Sequence, residues 1–271
     1  MGNINTDEYS SLYANDTENL KKLDLEFKKI VKRDTMEEWF IPALIESDVL
    51  ERCGYFSTMP NQLTKVSVIN REKIEDLIKK KSLPRISDYD NSPNYFLTPA
   101  ACLHLYPMIE KHPIKNKIIT TFARVYRYEE GKFEKKTRQW DFSVREFVAV
   151  GTPKFVEDFL EDMMNSLLNY AQKIYDHVYI EEASDHFYPS KNNLIKKKFQ
   201  LKNSLKKELV AEYDNKKISL ASFNYHTNHF SKEFNFDEDG TIVSGCVGCG
   251  LERWLKLIEV RESGGKPAWE E

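Results

Sequence analysis

The sequence predicts an α+β fold in which helices pack on an antiparallel sheet. Its 271 residues, 41% of them hydrophobic, are enough for one core that buries about three quarters of the unfolded surface. Strand-like and helix-like segments follow one another without the β-α-β alternation of a parallel sheet. No repeat or linker divides the chain, so we expect a single domain over 16–262, with a flexible N-terminus at 1–15 and a flexible tail at 263–271.

Charge, hydropathy and cysteine content exclude several classes of protein. The formal net charge is −3, so the chain lacks the strong basic field of a general nucleic-acid binder. No run approaches the roughly 18 apolar residues of a membrane span, and the first residues lack the apolar stretch of a signal peptide. We therefore expect a cytoplasmic protein that does not enter a membrane. The four cysteines, at 53, 102, 246 and 249, are then expected to be thiols or metal ligands rather than disulfides.

Helical and strand-like patterns share the first part of the chain. The predicted elements are a helix over 16–33 capped by Asp16 or Thr17, a second helix from Asp34 or Thr35 that contains Pro42, a strand at 63–69, a short basic helix at 71–81 and a loop at 84–93.

The second part of the chain alternates between longer elements. They are strands at 95–97, 118–128 and 140–150, a helix at 155–177, a lysine-rich amphipathic segment at 192–207, strands at 209–213 and 218–225, a glycine–cysteine loop at 245–250 and a helix at 251–260. The polar loop 129–137 joins two of these strands as a hairpin, and such loops often carry function.

Cys246 and Cys249 form a CxxC motif. Alone, such a pair indicates half a zinc site or a redox dithiol, but no second CxxC and no β-α-β context accompany it. A second interpretation combines the thiolate of Cys102, one thiolate from residues 244–250 and a third donor from elsewhere, because catalytic zinc sites keep three protein ligands and one open position. A third is that Cys53 and Cys102 are simply small buried apolar residues.

Two arginine-containing segments are candidates for anion binding. Residues 248–253 place glycines where a strand passes into a helix, and Arg253 lies in the first helical turn. This arrangement suits phosphate binding. The alternative is a tight turn followed by a solvated arginine. Arg127 and Glu129 share one face of a strand. The pair suits binding of a phosphate or carboxylate by Arg127 and of an adenine amino group by Glu129. The alternative is that the two residues form an ordinary cross-strand ion pair.

Together these segments resemble the catalytic domains of class II aminoacyl-tRNA synthetases. Residues 126–129 with 140–146 resemble the second motif of that class, and 248–253 resemble its third. Within the class, longer strings are similar to the amino acid:carrier protein ligases, truncated relatives of the atypical zinc-dependent seryl-tRNA synthetases, from about residue 36 to 260. These strings lie at 54–60, 99–107, 145–152 and 222–230.

The resemblance implies roles for individual residues. The positions that match the zinc ligands of the family, whose zinc binds the amino group of the amino acid, are Cys102, Glu146 and Cys246. The positions that match ATP contacts are Arg127 on the α-phosphate and substrate carboxylate, Glu129 near adenine, Phe142 stacked on adenine and Arg253 on the γ-phosphate. The positions that match the amino-acid pocket are Glu208, Asn224 and His226.

The reaction that the resemblance implies is ATP-dependent, with Mg²⁺ as the counterion. A small amino acid would become an aminoacyl-adenylate and pass to the phosphopantetheine thiol of a holo carrier protein, which makes 16–262 a catalytic domain. A homodimer is expected. No tRNA is expected, because the chain has no room for a separate RNA-binding domain beyond the catalytic core.

Two other functions remain open. One is a minimal seryl-tRNA synthetase-like enzyme, and the other is a non-catalytic paralogue that binds an amino acid or a partner and regulates. The presence of all the zinc and ATP positions argues against the paralogue. The lysine-rich segment 191–207 would meet an acidic carrier, touch RNA or form a solvated helix face.

Overall fold

A seven-stranded mixed sheet forms the centre of the computed structural model, which describes residues 10–31, 36–81, 84–90, 94–129, 133–214 and 216–263. The strands are β1 (Met36–Glu38), β2 (Leu44–Glu46), β3 (Val68–Ile69), β4 (Tyr89–Asp90), β5 (Tyr95–Leu97), β6 (Lys117–Tyr126), β7 (Asp141–Gly151), β8 (Val178–Glu182), β9 (Lys206–Tyr213), β10 (Lys216–Thr227) and β11 (Val243–Gly250). The helices are α1 (Ala14–Ile30), α2 (Ser47–Arg52), α3 (Tyr55–Thr58), α4 (Ile74–Lys80), α5 (Cys102–Lys111), α6 (Pro153–Gln172), α7 (Lys191–Lys202), α8 (His229–Glu233) and α9 (Leu251–Glu262).

The strand order of the central sheet is β1-β6-β7-β11-β10-β9-β8. The short strand β1 runs parallel to β6, and every other neighbouring pair is antiparallel. The pairs β2–β5 and β3–β4 form two small separate sheets. This architecture confirms the α+β class with helices flanking the sheet, and β1 makes the sheet mixed where an antiparallel one was expected.

Two hydrophobic cores cover the two faces of the sheet. On one face α1, α6 and α9 bury side chains such as Phe27, Leu160 and Trp254. On the other face α5 packs with α2 and α3, and Leu105 and Ile109 are fully buried there. The second face also carries the candidate site, so α5 fixes that site from above while the strands form its floor.

Helix α6 illustrates how local sequence sets the elements. The Thr152 side chain accepts a hydrogen bond from the Phe155 N–H at 3.4 Å, and Pro153 occupies the first turn, where its missing N–H costs nothing. The predicted helix at 155–177 is therefore confirmed, although it ends at Gln172. The predicted strands at 95–97, 118–128, 140–150, 209–213 and 218–225 and the helices at 71–81 and 251–260 are also confirmed within a few residues.

The predicted second helix is wrong where the structure describes it. Its expected start at 34–35 lies outside the described residues, while the segments that follow form β1 and β2. Pro42 between them lacks a backbone N–H and cannot continue a helix. The backbone of this segment pairs instead with β6 and β5.

The prediction of a loop at 245–250 is also wrong, because this glycine–cysteine segment lies in the central strand β11. A Cβ at Gly245 would come within 2.8 Å of Val156 Cγ1. Glycine is therefore needed there to let the strand pack closely against α6, and it does not mark a turn.

The remaining differences concern short elements and element ends. Helix α1 begins at Ala14 without a side-chain cap, and the predicted strand 63–69 shortens to β3. The predicted loop 84–93 holds a 3-10 turn (Ile86–Asp88) and β4. The helix in the lysine-rich segment ends at Lys202, and β8 was not predicted. Parts of other predictions lie outside the described residues, namely 1–9, 32–33, 91–93, 130–132 and 264–271. Within the described part of the chain, no helix has the length and apolar character needed to cross a membrane.

Candidate functional site

A cleft of about 1300 Å³ opens on the face of the sheet that carries α5. Strands β7, β11, β10 and β9 supply its floor, and α7 lies at its rim. The cleft is lined by all of the predicted site residues, namely Cys102, Arg127, Glu129, Phe142, Glu146, Glu208, Asn224, His226, Cys246 and Arg253. The fold therefore brings together segments that lie far apart in the sequence.

Three metal-ligating side chains meet in this cleft, and we call them the Cys–Glu–Cys cluster: Cys102, Glu146 and Cys246. One ligand atom from each lies within 4.8 Å of the other two, and all three residues are buried. Cys102 is the first residue of α5, while Glu146 and Cys246 come from the adjacent strands β7 and β11. Cys246 pairs in register with Val148, two residues from Glu146, so both side chains point to the same face.

The electrostatics of the cluster favour a cation. Burial raises the pKa of Glu146 to about 7, although the Cys246 thiol and the charge of Arg127 act in the opposite direction. The hydrogen bond to Cys102, burial and the charge of Glu146 raise the pKa of Cys246 well above its usual range. Burial therefore favours the protonated forms of Glu146 and Cys246 in the absence of a cation. Two thiolates and a carboxylate form a donor set suited to a tetrahedral ion with one open position.

Gly248 leaves the space that the Glu146 carboxylate occupies. It lies directly opposite Glu146 in the β7–β11 pairing, and a Cβ there would lie 2.9 Å from Glu146 Oε2. The absence of a side chain at this position is therefore part of how the cluster is built.

Cys249 takes no part in the cluster. It lies three residues after Cys246 on β11, so its side chain points to the opposite face of the sheet, into the core with α6 and α9. The alternation of strand β11 thus places the two cysteines of the CxxC motif on opposite faces of the sheet, which is consistent with the interpretation that they do not form a redox dithiol.

Two arginines stand in the cleft with backbone partners. Arg127 donates from Nε to the Pro99 carbonyl at 2.7 Å, and its guanidinium carbon lies 5.5 Å from the centre of the Phe142 ring. Arg253 donates to two carbonyls, those of Thr137 at 3.1 Å and of Ser219 at 3.0 Å. Across the described ranges neither arginine is ion-paired with a carboxylate.

The environment of Arg253 suits an anionic ligand. Burial lowers the pKa of Arg253, the charge of Arg127 acts in the same direction, and Glu129 acts against both. Arg127 and Arg253 both line the cleft, so two guanidinium groups are available to an anion with several charges.

Glu129 pairs with a different arginine from the one that the sequence suggested. Arg138 donates from Nε to Glu129 Oε2 at 2.9 Å, and the Glu129 carbonyl accepts a hydrogen bond from the Trp140 indole at 3.3 Å. The alternative of a plain Arg127–Glu129 ion pair is therefore not what this part of the chain forms. No role for Arg138 was predicted from the sequence.

Asn224 and His226 lie beside the Cys–Glu–Cys cluster on β10. The Asn224 amide donates to Cys246 Sγ at 3.5 Å, and His226 Nδ1 lies 3.0 Å from Ser244 Oγ. Burial lowers the pKa of His226 to about 3, so its ring is neutral at physiological pH. Both side chains therefore present neutral hydrogen-bonding groups next to the possible metal ligands.

Glu208 belongs to a buried charge network that sequence reasoning missed. Lys206 Nζ lies 3.3 Å from Glu208 Oε1 and 2.9 Å from Asp185 Oδ1, and Gln200 donates to the other Asp185 oxygen at 2.8 Å. The alternation of β9 places Lys206 and Glu208 on one face, which could have revealed that pair. Asp185 lies in an irregular segment, and no sequence pattern indicated that it would join this network.

A family model of the tRNA synthetase class II core domain (G, H, P, S and T) matches residues 85–261. Type-2 serine–tRNA ligases from Methanococcus aeolicus and Methanocaldococcus jannaschii are 24% and 26% identical over 86% of this chain and 48% of their own length. Amino acid–(acyl-carrier-protein) ligase 1 from Bradyrhizobium diazoefficiens is 28% identical over 78% of this chain and 67% of its length. The chain thus spans about half the length of the serine–tRNA ligases that it matches.

Solved structures agree with the fold. The complex of A. aeolicus tRNASec with M. kandleri SerRS contains a chain that superposes with a TM-score of 0.74 at 21% identity, over 94% of this chain and 56% of the other. Prolyl-tRNA synthetase from Cryptosporidium parvum with L-proline and AMP gives a TM-score of 0.66 at 13% identity, over 94% of this chain and 48% of its own. With a family model covering well over half of its residues and the matching fold, this chain belongs to the family of class II aminoacyl-tRNA synthetase core domains.

Proposed function

We propose that this protein activates a small amino acid with ATP and Mg²⁺ and transfers it to the phosphopantetheine thiol of a carrier protein. The observation that carries the proposal is the joint presence, in one cleft, of the Cys–Glu–Cys cluster and of two arginines whose hydrogen bonds, within the described structure, go to backbone carbonyls. The cluster supports recognition of an amino group, and the arginines Arg127 and Arg253 support recognition of phosphates.

The arginines would serve the first half-reaction. The carboxylate oxygen of the amino acid attacks the α-phosphorus of ATP, the bond to the β-phosphate oxygen breaks, and pyrophosphate leaves with that electron pair. Attack of one anion on another needs fixed positive charge, which stabilises the charge that develops in the transition state. In the proposal Arg127 would bind the carboxylate and α-phosphate, Arg253 would bind the γ-phosphate, and Mg²⁺ would supply further positive charge to the phosphates.

The adenine and the amino acid would occupy opposite ends of the cleft. Phe142, whose ring already lies under the Arg127 guanidinium, offers a stacking surface for adenine, and Glu129 accepts from its amino group. Glu208, Asn224 and His226 would line the amino-acid end, where Asn224 contacts the cluster directly.

The Cys–Glu–Cys cluster would hold Zn²⁺, whose donor preferences it matches. When bound, that ion supplies a Lewis-acid anchor for a free amino group. Asn224 would keep the Cys246 sulfur oriented, and Gly248 would keep room for the Glu146 carboxylate. All three residues of the cluster are buried.

The second half-reaction would pass the amino acid to a thiol. The thiol sulfur attacks the carbonyl carbon of the adenylate, AMP leaves, and the thiol proton passes to solvent. The Bradyrhizobium relative, matched over 67% of its length, supports a carrier protein as acceptor. Helix α7 at the cleft rim adds support because it carries five lysines and exposed apolar side chains, which suits an acidic partner. A homodimer is part of the proposal.

The serine–tRNA ligases among the relatives support a second candidate, transfer to tRNA. Intact-mass measurement separates the two. The full chain is incubated with ATP, Mg²⁺, Zn²⁺ and one amino acid, together with a holo carrier protein, its apo form or unfractionated tRNA. We expect a mass increase of one aminoacyl group on the holo carrier alone, removable by hydroxylamine. Charging of tRNA without charging of the carrier would overturn the choice of acceptor.

A further inference from the structure

The turn 134–138, which precedes β7, contacts the part of the cleft that holds Arg253 and Glu129. Glu134 and Arg138 close this turn, because the backbone N–H of each donates to the carbonyl of the other, at 3.0 Å and 2.8 Å. The Thr137 carbonyl accepts the hydrogen bond from Arg253 Nε, and the Arg138 guanidinium pairs with Glu129. The position of the turn therefore sets the positions of both cleft residues.

The backbone of Lys136 adopts an uncommon conformation in the middle of this turn. Its φ angle is 69°, in the left-handed region that favours glycine. Its N–H donates a hydrogen bond to Gln139 Oε1 at 2.8 Å. A residue with a long side chain keeps such a conformation only where the surrounding contacts hold it there. We therefore expect the contacts of the Lys136 side chain to stabilise the turn.

The Lys136 ammonium is buried between two helices. It lies 2.8 Å from Asp16 Oδ2 of α1 and forms a second ion pair with Glu259 of α9, while its side chain is only 5% exposed. Burial alone would lower the pKa of Lys136, but the hydrogen bonds and charges of Asp16 and Glu259 together outweigh burial and raise that pKa. The lysine is therefore charged at physiological pH. Removing the charge from such a buried bridge disrupts more than removing it from an exposed ion pair.

Helix α9 meets the turn at two separate places. Arg253, in the first turn of the helix, contacts the Thr137 carbonyl. Glu259 lies about 9 Å further along the helix axis and contacts the Lys136 ammonium. Asp16 attaches the same ammonium to α1. Without the charge of Lys136, the turn would be free to move along α9 and to take its carbonyl away from Arg253.

We propose that Lys136 is a positioning residue for ATP, whose buried ammonium holds the turn 134–138 where Thr137 orients the Arg253 guanidinium. This inference rests on the ATP-binding part of the proposed function. Lys136 does not line the cleft in the described structure, so it acts through its neighbours and does not touch ATP. A misplacement of binding groups by about 1 Å costs up to about 100-fold in rate. The bridge therefore matters for ATP more than for the amino acid, whose proposed pocket lies elsewhere in the cleft.

The test compares wild-type protein with Lys136→Met, which removes the charge, and with Lys136→Arg, which keeps it. Amino-acid-dependent exchange of pyrophosphate into ATP is measured on the zinc-loaded full chain, with the ATP and amino-acid concentrations varied separately. We expect Lys136→Met to raise the KM for ATP about 10- to 100-fold, with the KM for the amino acid and the zinc content unchanged. ATP binding measured by calorimetry should weaken in parallel. Lys136→Arg should recover part of both losses.

Two further variants separate the bridge from its surroundings. Lys256→Met is the matched control, because Lys256 pairs with the same Glu259 carboxylate at 3.4 Å but is partly exposed, so both KM values should stay within about twofold of wild type. Glu259→Gln weakens the bridge from its more exposed side and should raise the KM for ATP by a smaller factor, about 3- to 10-fold. Because this variant keeps Lys136 paired with Asp16, we expect it to stay folded even if Lys136→Met does not.

The remaining outcomes overturn the inference in distinguishable ways. An unchanged KM for ATP in Lys136→Met, or in Glu259→Gln if Lys136→Met does not fold, would remove Lys136 from the ATP site and leave amino-acid activation intact. An equal rise in both KM values would also overturn the inference, because a general loss of structure affects both substrates. If wild-type protein neither binds ATP nor exchanges pyrophosphate with any amino acid, the proposed function fails and this inference fails with it.

Discussion

Gly248 lies directly opposite Glu146 across the β7–β11 pairing, so close that a Cβ on Gly248 would be 2.9 Å from Glu146 Oε2. The contact involves the end of a flexible side chain and no backbone atom. An added methyl group would therefore move the carboxylate without breaking the sheet. The relationship links a small residue, which looks like a loop signal in the sequence, to the placement of a candidate metal ligand.

Gly248→Ala should lower metal content while the protein stays folded. The displaced Glu146 carboxylate no longer meets the two thiols, so we expect at least 10-fold weaker zinc binding by chelator competition. Gly250→Ala is the matched control, because a Cβ there would meet Arg253 Cδ at an ordinary 3.8 Å. Equal zinc affinity in both variants would show that Gly248 does not shape the cluster.

The cysteines of the CxxC motif should behave differently. Cys246→Ala should lose bound zinc, as should Cys102→Ala, because each removes a cluster ligand. Cys249→Ala should keep the zinc and lose about 1 kcal/mol of unfolding free energy, since its side chain only fills the opposite core. Metal analysis and urea unfolding of the three variants test this, and zinc loss in Cys249→Ala would contradict the division of the motif between two faces.

Arg253→Ala should slow adenylate formation without affecting the metal. The variant removes a cation that the fold holds by two backbone carbonyls, and the loss of one such group in a transition state costs about 10²- to 10³-fold in rate. Amino-acid-dependent exchange of pyrophosphate into ATP measures the step, with zinc content as the control. Wild-type exchange kinetics would remove Arg253 from the ATP site.

The metal-free protein should lose stability as pH rises from about 4.5 to about 7. Glu146 keeps its proton up to about pH 7 in the folded state, against 4.5 as the ordinary value, so the folded state binds more protons in this window. The free energy of unfolding then falls by about 3 kcal/mol across it. Urea unfolding with a chelator should show this component in wild type and not in Glu146→Gln. Identical pH dependence in the two proteins would contradict the raised pKa.

Lys206→Met should destabilise the fold by about 3 kcal/mol, because it leaves the Asp185 and Glu208 carboxylates without their buried cation. The neighbouring Lys207→Met is a matched control. Lys207 makes one half-exposed ion pair, at 3.8 Å from Glu182, and its loss should cost less than about 1 kcal/mol. Thermal or urea unfolding compares the two, and similar midpoints would mean that the buried network contributes little.

Much of the fold follows from sequence periodicity. The hairpin β6–β7, helix α6 and helix α9 carry apolar patterns that match their own geometry, so local reasoning places them correctly. The same reasoning fails for strand β11. Its glycines are set by Val156 on α6 and Glu146 on β7, both distant in the sequence, and no local pattern carries that information.

The candidate site divides in the same way. Motif residues such as Arg127 and Arg253 could be chosen from sequence because their segments resemble the second and third motifs of class II synthetases. The partners that complete the site could not, since Asp185 and Lys206 gain their meaning from contacts across the fold. The pairing of Glu129 with Arg138 depends likewise on how the loop returns to the strand.

The central claim is that the Cys–Glu–Cys cluster and the two arginines form one amino-acid-activating site. The most direct measurement is amino-acid-dependent pyrophosphate exchange into ATP by the zinc-loaded full chain across all twenty amino acids, with Cys246→Ala in parallel. The account predicts exchange with at least one small amino acid by wild type and none by the variant. Absence of exchange with every amino acid in the zinc-loaded wild type, or equal exchange by Cys246→Ala, would contradict it.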